Sequence, residues 1–105
     1  MRAGNLDRRV ILRGKISDAN AYGEQIETWI DIDTIWAQRK ELRGSERWEA
    51  QRVNPMVECK YVIRWRSDVT AKHRLVDGSR DYDIKAVLEL GRHEGLELIC
   101  AAREV

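Results

Sequence analysis

Residues 57–66 read Val57-Glu58-Cys59-Lys60-Tyr61-Val62-Ile63-Arg64-Trp65-Arg66. Val57, Cys59, Tyr61, Ile63 and Trp65 fall on one side of a period of two, and Glu58, Lys60, Val62, Arg64 and Arg66 on the other. Successive side chains of a β-strand leave opposite faces of the pleat, so this pattern marks a half-buried strand. On a helix the same aromatics would scatter around the axis. The stretch predicts the longest and most central strand, with its apolar face, Trp65 included, in the core.

Working outward, the C-terminal side continues in the same register of short strands. Ser67 to Lys72 turns, and Arg74 to Val76 opens a hairpin whose turn is Asp77-Gly78, a pair that readily takes positive φ. Tyr82, Ile84 and Ala86 then alternate with Asp81, Asp83 and Lys85; Gly91 to Gly95 turns again, and Leu96, Leu98 and Cys100 make the inward face of a last strand. On the N-terminal side, Asp7 to Ile16 is β-rich with Val10 and Leu12 on one face, and Gly14 suggests a bulge or bend. Ser17 to Gln25 reads as a long exposed turn. Ile26 to Ile32 and Thr34 to Lys40 read as one bent strand, or two, meeting at an Asp31–Asp33 kink. The chain is thus expected to be all-β: a small antiparallel barrel of six to seven strands with one short helix, in a single domain over 1–105. Residues 1–5 read as a flexible arm and residues 41–55 as an inserted helix or loop.

That insertion has its own pattern. Ser45 after Gly44 predicts an N-cap, and Pro55 bars helix beyond Asn54. About two turns of helix are too short to persist alone in water. Trp48, Ala50 and Val53 form no single apolar stripe, so the helix either caps a barrel mouth through Trp48 or orders against a partner. Arg43, Glu46, Arg47, Trp48 and Arg52 are the candidate contact residues.

Composition narrows the function. Nineteen basic and eighteen acidic residues leave a formal charge of +1, against the strongly basic balance of a dedicated duplex-DNA binder. Arg outnumbers Lys fourteen to five, which favours ion-paired surfaces and interfaces. There are four Trp and no Phe. Each Trp offers on the order of 200 Å² to bury, roughly 5 kcal/mol as an upper bound, so the core is expected where the Trp residues sit. With no large apolar patch evident, the free chain is expected to be a monomer at micromolar concentration. Cys59 and Cys100 lack metal or redox spacing and read as buried free thiols of a cytosolic protein, with no signal pattern and no membrane-length apolar run.

Chemistry is sparse. Asp81 and Asp83 share a strand face, but the alternation with Tyr82 and Ile84 makes that face the solvated one. His73 and His93 sit in turns without companion ligands, and no nucleophile, phosphate-loop or zinc motif occurs. The expectation is no enzyme, no cofactor and no metal. Tyr61 and Trp65 interleave with Arg64 and Arg66 as in single-strand nucleic-acid platforms, which keeps a small nucleic-acid-binding barrel as the rival function. The alternation, however, puts rings and guanidinium groups on opposite faces. An enzyme subunit with a site between copies is a third, weaker alternative.

The order of motifs resembles the bacteriophage head–tail joining (head-closure or stopper) proteins. The matching residues are Gly4-x-Leu6-Asp7-x-Arg9-Val10, Tyr22-Gly23-Glu24, Trp29, Trp36-Ala37, Gly44-Ser45-Glu46, Ile63-Arg64-Trp65-Arg66, Asp68-Val69-Thr70, Tyr82-x-Ile84 and Leu96-x-Leu98-x-Cys100. The chain departs from the family pattern at Ser79, which separates the hairpin glycine from Arg80, and at Trp65, where Tyr is commoner. The resemblance implies a non-enzymatic virion protein, assembled in the host cytoplasm. In the virion it would form a connector ring of its own copies between portal–adaptor and tail proteins, closing the head to retain DNA. It implies that 41–55 projects toward the channel, that DNA is touched at most transiently, and that no membrane is involved.

Overall fold

The computed structural model describes residues 5–103; of the arm expected over residues 1–5, residues 1–4 lie outside that range. Six strands and one helix follow in the order β1 (Arg8–Ala19), β2 (Gln25–Glu41), α1 (Gly44–Val53), β3 (Val57–Arg64), β4 (Arg74–Asp77), β5 (Arg80–Leu90) and β6 (Gly95–Ala102). All pairings are antiparallel, and the strands close into a barrel in the order β1-β2-β3-β6-β5-β4, with short β4 joined to β1 through Ile11–Arg13. Closure removes sheet edges wherever the barrel is complete.

β3 is central, flanked by β2 and β6, and its Val57, Cys59, Tyr61 and Ile63 are buried as the period of two requires. Val62, the apolar member of the opposite phase, is buried too. The longest strand is β2, with 17 residues, and not β3. β3 also ends at Arg64, so Trp65 leaves the ladder, packs half-buried against the edge of the core and stacks on His93 with ring centroids 4.1 Å apart. None of the four Trp is buried. The core is built of Leu, Ile and Val with the Tyr61–Tyr82 pair (centroids 5.7 Å) at its centre. An indole needs a wide space with a partner for its N–H, and a narrow six-stranded barrel is filled more readily by slimmer side chains. Cys59 and Cys100 are free, fully buried and directly opposite each other across β3 and β6; burial pushes both thiols up.

The kink expected at Asp31–Asp33 is a β-bulge. Leu12 pairs with Asp33 and Arg13 with Asp31, which leaves Ile32 as the extra residue on β2. Apolar residues therefore switch from even positions (Ile26, Ile30, Ile32) to odd ones (Ile35, Ala37) while staying on one face of the strand. Gly14 lies opposite as the space for Ile32, because a Cβ there would come within 2.5 Å of Ile32 Cδ1.

Beyond the bulge the barrel has no further walls. β4 leaves β1 after Arg13, and β3 meets β2 only at Ala37–Glu41, so Gly14–Ala19 and Gln25–Ile30 continue as a two-stranded ribbon. Ser17–Ala19 and Gln25, expected in a turn, are paired strand residues; the turn is only residues 20–24. The ribbon draws the molecule out to 49 × 30 × 27 Å. Arg13–Asp31 (2.7 Å) and Lys15–Glu27 (2.6 Å) pair across it, and the Arg74 guanidinium lies 3.6 Å from the Trp29 ring.

Candidate functional site

Two surfaces at the end opposite the ribbon collect the residues that sequence reasoning singled out, and some that it missed. The first is α1. Its entry is made by Gly44 at φ +59, a left-handed conformation that suits glycine. The helix begins two residues earlier than expected: Arg43 is the N-cap, in extended conformation and without a side-chain cap, and Ser45 caps nothing. The C-terminus follows expectation, with Asn54 N–H donating to Ala50 O (3.1 Å) and Pro55 next in line.

No residue of α1 is buried. The helix leans on the barrel through Ala50, packed against Leu42, Val57 and Ala101, through Gln51 Nε2 donating to Val57 O (3.0 Å), and through Lys60 Nζ donating to Glu46 (2.6 Å). The Glu46 carboxylate, then Glu97, hold the Lys60 ammonium above its ordinary pKa against a smaller opposing effect of burial. Of the two alternatives for the helix, a cap through Trp48 is not what the fold uses: Trp48 is 63% exposed with the Arg52 guanidinium 5.0 Å from its ring. Val53 is 90% exposed. Among the described residues Arg43 and Arg47 form no ion pair. The structure thus brings Trp48 and Arg52 together, ties Glu46 to the barrel and leaves Arg43 and Arg47 in solvent.

The second surface is the barrel mouth beside α1, which sequence reasoning missed. Tyr61 Oη donates to Asp77 Oδ2 (2.7 Å), and Arg8 Nη1 donates to the same oxygen (2.9 Å). Burial, with Asp77 adding to it, pushes the Tyr61 hydroxyl well above the ordinary range. Arg39 bonds Glu41 and reaches Glu58 (3.4 Å). A cleft of about 450 Å³ opens there between Glu58, Ser79, Arg80, Tyr82 and Arg103. The only sequence signal was Asp77-Gly78, read as a turn; that Asp77 turns inward over Tyr61 depends on barrel closure.

The remaining candidates are structural. Asp81 is exposed as expected, whereas Asp83 is half-buried and bonds Arg74 (3.1 Å). His73, expected to be exposed, is half-buried and accepts from Thr70 N–H at Nδ1 (3.0 Å). His93 is exposed at φ 57 but stacked on Trp65. Tyr61 is fully buried, so β3 presents no stacking platform for bases. Among the described residues no cluster of metal-ligating side chains occurs, and no helix is long and apolar enough to cross a membrane.

Residues 1–104 match the family model of the phage head completion protein. The chain belongs to that family. Membership gives it a structural role in head assembly, in association with other virion components. The solution structure of protein SF1141 from Shigella flexneri 2a superposes on the chain with a TM-score of 0.82 at 24% identity, covering 97% of this chain and 96% of that one. A chain from the virion of a native gene transfer agent particle superposes with a TM-score of 0.64 at 24% identity, covering 95% and 96%. At that identity both likenesses speak to the head completion fold. No curated protein matches the chain in sequence.

Proposed function

We propose that this head completion protein closes filled heads as a ring of its own copies between the portal–adaptor complex and the tail. The segment 41–55 is the part of each copy that meets the channel and neighbouring virion surfaces, with Arg43, Glu46, Arg47, Trp48 and Arg52 as its contact residues. The observation that carries this reading is α1 itself. Ten helical residues with none buried gain too little from their own hydrogen bonds to be there for stability, and Trp48 beside free arginines is the composition of interface anchors. The near-neutral chain fits a closure that blocks sterically, because a strongly basic lining would hold DNA by salt-dependent contacts and hinder its exit. Assembly takes place in the host cytoplasm before the particle is complete, and DNA contact is transient.

Complementing a phage that lacks this gene with Arg47→Ala/Trp48→Ala/Arg52→Ala tests the reading. The variant is expected to melt like the parent, since all three side chains are exposed, and to yield heads that lose their DNA. Full DNA retention by the triple variant, or a portal–tail junction imaged by electron microscopy without copies of this chain, would overturn it.

A further inference from the structure

Two nucleophilic side chains have no part in that reading. Cys59 and Cys100 lie far apart in the chain, yet closure of the barrel makes them register partners across the β3–β6 ladder. Directly opposite residues share one face of a sheet, and here it is the inner one. Cys59 lies between Val57 and Tyr61 on the buried side of β3, and Cys100 follows Leu96 and Leu98 on that of β6. Both thiols are free and both residues are 0% exposed.

The ladder itself sets the spacing. Cα atoms of opposed antiparallel residues are about 4.5–5.5 Å apart, whichever kind of pair they form, and a disulfide spans Cα separations of about 4.4–6.8 Å. No backbone movement is needed to join the two. The thiols also have no competing task. Cys100 Sγ donates only to Leu98 O, at 3.5 Å, a weak bond. Among the described residues no third His, Cys, Asp or Glu joins the pair as a metal ligand.

We propose that Cys59 and Cys100 are a latent cross-strand disulfide, closed when the virion passes from the reducing host cytoplasm into an oxidising medium. This rests on the virion role and cytoplasmic assembly above and is independent of the ring. The co-reactant is a low-molecular-weight disulfide. One thiolate attacks it and releases a small thiol, leaving a mixed disulfide; the other thiolate attacks the protein sulfur of that intermediate and releases the second. The cysteines lose two electrons and two protons, and the small disulfide gains them. The new bond ties β3 to β6 beside Val57 and Ala101, the footing of α1. It closes a loop of about forty residues, which removes much freedom from the unfolded chain. Because both cysteines are fully buried, oxidant arrives only through opening of the barrel. Closure is therefore slow, and the finished bond is equally hidden from reductant.

The test incubates the purified chain with glutathione disulfide, in urea too dilute to unfold it, which speeds opening. The expected product is lighter by about 2 Da, the mass of two hydrogens, with tryptic peptides 53–60 and 93–103 joined. Its Tm is expected on the order of 10 °C above that of the reduced protein. Cys59→Ala and Cys100→Ala give no such product. Three results would overturn the proposal: two thiols that still react with a maleimide on denaturation after the incubation, glutathione adducts that never resolve into the lighter species, or a disulfide-bonded chain that melts no higher than the reduced one.

Discussion

The two halves of the β1–β2 pair differ only in what stands opposite them. Val10 and Leu12, in the barrel half, are fully buried; Ile16, two positions beyond Gly14 on the same face, is 49% exposed. Both halves keep the alternation and both are fully paired with each other. In the barrel half the other four strands supply the facing layer, and in the ribbon half β3 and β4 have already turned away. An apolar strand face states a demand for a second layer without stating who meets it. In an assembly protein the unmet half is the informative one.

The largest effect that tests this contrast is on stability. Leu12→Ala is expected to cost about 2–5 kcal/mol through the cavity it leaves, and Ile16→Ala under about 1 kcal/mol. Urea melts of the two variants check it; equal costs would mean that the ribbon is packed in the free protein. Amide exchange should divide the same strand. Val10 and Leu12 are expected to exchange only through global opening, and Ile16 through local opening at least about a hundredfold faster. The helical amides of residues 45–53 should also exchange fast and slow down on assembly, whereas protection equal to that of β3 in the free chain would make α1 a permanent cap.

At the junction of the two halves, Trp65→Ala is expected to cost about 1–2 kcal/mol rather than the ~3–5 kcal/mol of a core aromatic, since the ring is half-buried against His93. A larger loss would place it in the core after all. The smallest effect is at the base of the ribbon. Arg66 donates to Asp33 (2.7 Å) and to both oxygens of Asp68 (2.9 Å each), and holds both carboxyls below the usual carboxylate range. Their contribution to stability is complete above the unfolded-state value near pH 4 and disappears as pH falls through the lower folded values. Exposure keeps it small. Arg66→Gln should therefore lower stability slightly at neutral pH, leave it unchanged at low pH, and so flatten the acid limb of the stability profile below about pH 4; an unaltered acid limb would remove the triad from the account.

Much of this was legible in the residues. The period of two marked β3, β5 and β6, the kink at Asp31–Asp33 marked the place of the bulge, and Gly44 and Pro55 bracketed α1. These signals are local, set by strand pleat, turn stereochemistry and the missing N–H of proline. The isoleucines of the ribbon gave no sign of exposure, because alternation reads the same whether or not another layer arrives. Trp burial was misjudged for a related reason: transfer energy favours burying an indole, but the barrel's width decides whether one fits.

By itself, then, the sequence determined an all-β chain with one short helix between two long strands, and the order of motifs shared with head completion proteins. Only the tertiary structure decided that the barrel closes through four-residue β4, that Asp77 and Arg8 meet over Tyr61, and that the β1–β2 pair outruns its neighbours to leave a ribbon and a cleft at opposite ends. Backbone preference acts over a few residues, whereas closure and exposure depend on strands far apart in sequence arriving side by side.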